Sequence, residues 1–206
     1  MLARSPGHTA TAIIVAALGI GANTAIFSVA DHVLLRPLPF PDASRLVNVW
    51  EDRTSRGSPR LEPSAANYRD WQRRATAFEH MAAHISYGAN LIGEGVPERV
   101  TGIGVTGELF TLLGVRPLTG RLITPEDDTP DAPATMVLSH RFWTQRFGAD
   151  PHILGRTLTL DHVKYTVIGV MPPDFRYPSR DIMYWLALRM TEQDFAARDG
   201  HYFNVI

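Results

Sequence analysis

The chain has 206 residues, enough for one large domain or two small ones, and 45% of them are hydrophobic, so a packed core and not disorder is expected. Twenty Lys+Arg against 21 Asp+Glu give a formal charge of −1, which lacks the basic excess that nucleic-acid binding needs. Cysteine is absent and Lys164 is the only lysine, which excludes disulfides, thiolate nucleophiles and thiolate metal sites and removes most lysine-based chemistry.

The first element is the strongest. Thr9 to Ala30, TATAIIVAALGIGANTAIFSVA, is 22 residues without a formal charge, long enough at ~1.5 Å per residue to cross a hydrocarbon core of about 30 Å. Ala17, Gly19, Gly21, Ala22 and Ala25 give this helix small residues for close packing on other helices, and Asn23 adds an amide that seeks a partner in lipid. Gly19, Gly21, Asn23 and Ala25 are therefore the expected transmembrane packing positions. A cleaved signal peptide, with Arg4 as its charged start and a cut near Ser28 to Ala30, is the rival reading. Arg4 on one side of the helix and Arg36 and Arg45 on the other leave its orientation open.

Beyond Asp31 short apolar runs alternate with proline and glycine, the texture of a folded water-facing domain. Leu34 to Pro41 carries three prolines and predicts an extended lead-in. Arg45 to Glu51 alternates as a half-buried strand does, and Asp52 to Glu62 reads as a polar loop. Ser64 is an N-cap for an amphipathic helix from Ala65 to about Ala83, with Tyr68, Trp71, Phe78 and Met81 at helical spacing. Ile85 to Ile92, the turn Gly93-Glu94-Gly95 and Pro97 to Val105 make a hairpin. A short helix from Glu108 to Leu113 is stopped by Gly114, and Pro117 with Gly120 turns the chain into Arg121 to Ile123. An acidic loop, Pro125 to Pro133, opens a second stretch: a strand at Thr135 to Leu138, a helix capped by Ser139 through Phe147, and strands at Thr157 to Leu160 and Tyr165 to Val170 around Asp161 to Val163. After Pro172-Pro173 the pattern weakens, until YFNVI ends the chain as a short strand that reads as cut, not finished. The class is α+β in two packed layers, because the strand pairs look like hairpins and long crossover helices are few.

The chemical motifs favour structural readings. Gly102-Ile103-Gly104-Val105-Thr106-Gly107 matches G-x-G-x-x-G, but the strand before it starts with polar residues and the helix after it is too short for a dinucleotide site, so glycines at a turn are expected. His80 and His84 stand four apart at the end of the long helix, without a third metal ligand nearby. Glu126, Asp127, Asp128 and Asp131 lack the alternating ligand spacing and turn glycine of a calcium loop. Ser139-His140 and Asp161-His162 hold the residue types of a hydrolytic triad but read as a cap and a turn. No G-x-x-x-x-G-K-[ST] occurs, so ATP, if used, is bound by another chain. No catalytic, cofactor or metal site is expected.

ALGIGANTAIFSVADHVLLRPLPFPDASRLV (Ala17 to Val47), LLGVRPLTGR (Leu112 to Arg121) and LSHRFWTQRFGADPHILGRTLTLDHVKYTVIGVMPPDF (Leu138 to Phe175) resemble the MacB-type periplasmic core domain of ABC transporter permeases. The resemblance implies residues 1–33 as a transmembrane helix entering from the cytoplasm and residues 34–206 as a periplasmic domain of mixed or antiparallel sheet and amphipathic helices, incomplete at its C-terminus. It further implies an inner-membrane protein, single-pass over this stretch, whose periplasmic domain transmits the movement of a separate ATP-binding subunit or domain to a substrate or envelope partner. A homodimer or pseudo-dimer of permeases and a periplasmic adaptor belong to the same expectation. Two other classes stand beside it: a membrane-anchored or secreted binding module with no transport role, and a metal-dependent enzyme using His80, His84 and the acidic loop.

Overall fold

The computed structural model describes residues 6–30, 40–93 and 95–206. These fall in two compact units, the N-terminal helix and residues 40–206, each described by itself.

Helix α1 runs over Pro6–Ala30. Proline is tolerated at its start because the first helical N–H groups have no intrahelical acceptor. Thr9–Ser28 is long and apolar enough to cross a membrane. Ile13, Ile14, Val15, Leu18, Ile20, Ile26 and Phe27 are all exposed, and they fall on every side of the helix. That distribution suits a helix surrounded by an apolar medium and not one lying on a core.

In the second unit, β1 (Glu51–Arg53) and β2 (Ser58–Leu61) form a small antiparallel hairpin closed by Gly57 at φ 79°. Helix α2 (Ala65–Arg74) follows. Then come β3 (Ala83–Ile92), β4 (Glu98–Val105), α3 (Leu109–Leu112), β5 (Thr119–Gly120), β6 (Thr135–Leu138) and α4 (His140–Phe147). β7 (Thr157–Leu160), β8 (Val163–Val170), β9 (Tyr184–Ala187) and β10 (Asn204–Val205) complete the chain.

The main sheet runs β10-β3-β4-β9-β6-β8-β5, and β7 pairs with both β3 and β8. The pairing β3-β4-β9-β6-β8-β7-β3 is thus a closed ring, so those six strands leave few open edges. β4 with β9 and β6 with β8 are parallel, and the other pairs are antiparallel, giving the mixed sheet of an α+β domain. All six ring strands send side chains into one cluster: Leu91, Val100, Tyr184, Met136, Val167 and Leu158 are among its buried members, with Phe142 of α4 packed there too. Alternate residues of the same strands face the other way, where Ile103, Val137 and Trp185 meet Phe110 and Leu113 at α3. Along β9 the change of face is strict, since Tyr184 and Leu186 join the first cluster while Trp185 and Ala187 join the second. A third cluster, with Tyr68, Met81 and Phe203, seats α2.

Several predicted elements stand as read. Ser64 caps α2, its Oγ accepting from Asn67 N at 3.2 Å, and Ser139 caps α4 in the same way through Phe142 N at 3.2 Å. β3 and β4 pair in register from His84↔Val105 to Leu91↔Glu98, with Gly93 and Gly95 at positive φ in the turn between them. Gly114, at φ 63°, stops α3. Leu34 to Pro39 of the predicted lead-in, and Glu94, lie outside the described residues.

Others differ. Arg45 to Glu51 is not a strand: Ala43–Arg45 is a single 3₁₀ turn and Val49 makes one bridge to Val205. Leu46 packs in the second cluster and Val49 in the third, so the segment crosses between two cores instead of following one sheet edge. The polar stretch after it is the β1–β2 hairpin and not a loop. The helix predicted to Ala83 stops at Arg74, where Ala75 turns extended. Ala82 and Ile206 exchange backbone hydrogen bonds of 2.9 Å, so pairing with the C-terminal strand overrides the helical spacing of Phe78 and Met81. The turn predicted at Asp161 to Val163 is shorter, with Asp161 and His162 both at positive φ, the geometry of a two-residue hairpin turn.

Candidate functional site

The packing positions expected on α1 divide between two faces. At ~100° per residue, Gly21 lies about 200° round the helix from Gly19. Asn23 stands one turn beyond Gly19, and its Nδ2 donates to Gly19 O at 2.9 Å. Ala25 stands one turn beyond Gly21, on the same side as Ala17. Gly19 and Gly21 have nothing within 4 Å of a Cβ, so each leaves a shallow notch on the helix surface. One N–H of the Asn23 amide is thus satisfied within its own helix, which lowers its demand for a partner.

The glycines of the G-x-G-x-x-G motif serve packing. Gly102 and Gly104 lie within β4 and not at a turn, as the sequence reading had them. A Cβ on Gly102 would stand 2.3 Å from the Tyr184 ring, one on Gly104 2.5 Å from Leu188, and one on Gly107 2.4 Å from Pro125. No phosphate cradle is left there: the Gly107 N–H donates to Asp128 Oδ2 at 3.0 Å.

His80 and His84 do not share a helix face. His80 lies in the irregular stretch after α2, and His84 is buried in β3. The acidic loop is taken up by its own neighbours. Arg121 donates to Asp127 Oδ1 at 2.8 Å and holds that carboxyl below the usual range. Asp128 accepts from Arg189 N at 2.7 Å as well as from Gly107 N, while burial pushes its pKa up to about 6. Among the described residues no group of three or more His, Cys, Asp or Glu could hold a metal. Ser139 is the α4 cap and Asp161 accepts from Asn90 Nδ2 at 2.8 Å beside β7, so the triad residue types are not assembled.

Two features escape a sequence reading. One is a polar knot around Glu51, whose buried carboxylate accepts from Asn67 Nδ2 at 2.6 Å and Ser64 N at 3.2 Å. Arg53 lies 3.2 Å away, and Arg198 donates to the other side of Asn67 at 2.7 Å. The knot ties the start of β1, the N-terminus of α2 and the segment before β10. The other is a cleft of about 350 Å³ lined by Phe40, Leu46, Phe78, Leu112, Leu113 and Ile206, with the Arg45–Glu79 pair at 2.7 Å on its wall. Neither had a sequence signal beyond exposed apolar residues in irregular stretches. The arrangement offers an apolar recess and structural ion pairs, without an assembled nucleophile and base.

The sequence pattern of the MacB-like periplasmic core domain matches residues 9–205. Among solved structures, the periplasmic region of MacB from Actinobacillus actinomycetemcomitans is similar at 18% identity and a TM-score of 0.52, covering 76% of this chain and 71% of that one. The extracellular domain of the ABC-type transporter YknZ from Gram-positive bacteria is similar at 14% identity and a TM-score of 0.53, covering 77% and 78%. At these identities the likeness is one of fold. No curated protein matches. Domains of this kind are periplasmic parts of permeases that work with ATP-binding subunits, and they are not catalytic in themselves. The chain belongs to the MacB-like periplasmic core domain family of ABC transporter permeases.

Proposed function

We propose that this chain is a permease component of an ABC transporter of export or envelope-efflux type. In this reading residues 1–33 form a retained helix entering the inner membrane from the cytoplasm. Residues 34–206 then form the periplasmic domain, which carries ATPase-driven movement to a substrate or envelope partner without chemistry of its own. The observation that carries the reading is the span of the family match: it starts at residue 9, inside α1, and runs to 205. The match takes in most of the helix together with the domain, which supports a retained helix over a removable leader. Gly21 and Ala25 supply the face on which α1 packs against further helices, and Gly19 with Asn23 a second, weaker one.

Photo-crosslinking in cells, from a reactive residue placed at Gly7, tests the reading. An ATP-binding protein captured by the helix end supports it. Full membrane retention with no such capture would contradict it. The cleft lined by Phe40 and Phe78 favours a second reading, a membrane-anchored binding module with no transport role. That reading requires ligand binding that is independent of any ATP-binding partner.

A further inference from the structure

Between β8 and β9 the chain leaves the sheet for residues 172–181. Its ends are fixed, since Met171 N donates to Leu138 O and Ser139 N to Met183 O, both at 2.8 Å. Between them the hydrogen bonds are internal: Phe175 N to Pro172 O at 3.2 Å, and Asp181 N to Ser179 Oγ at 3.3 Å. Arg176, Pro178, Ser179 and Arg180 are exposed. Two side chains hold the segment to the domain. Phe175 lies 5.3 Å from the Trp185 ring and 6.3 Å from Phe40, and Tyr177 lies 6.1 Å from Phe40 and 5.4 Å edge-on from His84.

His84 is 7% exposed, and its Nδ1 is buried without a hydrogen-bond partner. Its register partners are Val105 of β4 and Asn204 of β10, neither of them charged. From the segment above it comes Tyr177, whose phenol is neutral like any tyrosine below about pH 10, and burial raises its pKa further. No carboxylate faces the imidazole from these elements, so a proton on it would add an uncompensated buried charge.

We propose that residues 172–181 form an acid-released strap, latched by Tyr177 packing on the neutral His84 ring and detached when that ring takes a proton. Burial holds the His84 pKa down to about 4 in the latched state, against 6.5 when solvated. The latched form binds the proton less tightly, so its stability is complete above about pH 6.5 and is lost as pH falls toward about 4. Across that window the latched-to-released ratio drops about tenfold per pH unit. Asp128, below the end of β9, titrates in part of the same window, but its raised pKa makes acid favour the folded form, so it cannot mimic the release.

Hydrogen exchange of residues 40–206, a compact unit with its own core, tests this between pH 7 and pH 4, with rates corrected for intrinsic exchange. The strap amides should lose protection by ten- to a hundredfold as pH falls, while β6 and β9 stay protected, and His84→Phe should abolish the pH dependence. Strap protection that is flat with pH, that falls equally in His84→Phe, or that is lost together with β6 and β9 would overturn the proposal. Should His84→Phe fail to fold, Tyr177→Ala decides: without the latch its strap should be unprotected already at pH 7 and change no further toward pH 4, and wild-type protection in that variant that still falls with pH would overturn the proposal.

Discussion

Asn67 Nδ2 donates to Glu51 Oε1 at 2.6 Å across 16 residues of chain, joining the first turn of α2 to the start of β1. The same carboxylate oxygen receives Ser64 N, so one buried acid satisfies a side-chain amide and a backbone N–H beside the helix cap. Glu51→Ala takes the acceptor from the buried Ser64 N–H and the partly buried Asn67 amide and should cost about 2–3 kcal/mol. Glu51→Gln keeps an acceptor oxygen and should cost about 1 kcal/mol. Urea unfolding midpoints of residues 40–206 measure both, and equal losses would show that the carboxylate is not the organising acceptor.

The Tyr184 ring lies where a side chain on Gly102 would be, and it belongs to β9, the parallel neighbour of β4. Gly102→Ala drives a methyl into that ring and should destabilise by about 2–3 kcal/mol. Gly104→Ala meets the flexible end of Leu188 at 2.5 Å and should cost about 1 kcal/mol. The order of the two losses, read from thermal unfolding, is the checkable point.

Asp128 gives a pH dependence of known sign. Burial raises its pKa to about 6 in the folded protein, above the ordinary 3.8, so the folded form holds the proton more tightly. Its contribution to stability is full below about pH 4 and is lost as pH rises through about 6. Asp128→Asn removes that titration. The stability of wild type minus that of Asp128→Asn should therefore fall between pH 4 and pH 6, measured as a difference in urea midpoints. A difference that rises with pH would contradict the assignment.

On α1 the Asn23 amide donates within its own helix, whereas Gly21 and Ala25 stand open one turn apart. Gly21→Leu should abolish helix-dependent assembly in a membrane association assay. Asn23→Ala should change it less than about threefold, below the ~0.6 kcal/mol typical of interhelical polar contacts. A larger loss for Asn23→Ala would move the packing face to the Gly19 side.

The elements legible from sequence were those whose signal is local. Ser64 and Ser139 announce their helices because a cap bonds three residues ahead, β6 carries its full length in a short, mostly apolar run, and β7 alternates threonine with leucine as a half-buried strand does. β9 was missed because Tyr184 to Ala187 are buried on both faces, so the run shows no alternation and follows a proline-rich stretch. The helix overrun past Arg74 has the opposite cause: Phe78 and Met81 keep helical spacing, but distant Ile206 claims the backbone of Ala82. The Glu51 knot and the aromatic contacts among Phe40, Phe175 and Tyr177 join positions far apart in the chain, and no local pattern encodes them. The family pattern follows from ordered blocks of residues instead of any single site.

The most direct test of the permease reading is the fate of α1 in the cell, measured by N-terminal sequencing together with carbonate extraction of the expressed chain. The reading predicts an intact N-terminus and retention in the membrane fraction. Cleavage near Ala30 with release of a soluble domain would contradict it.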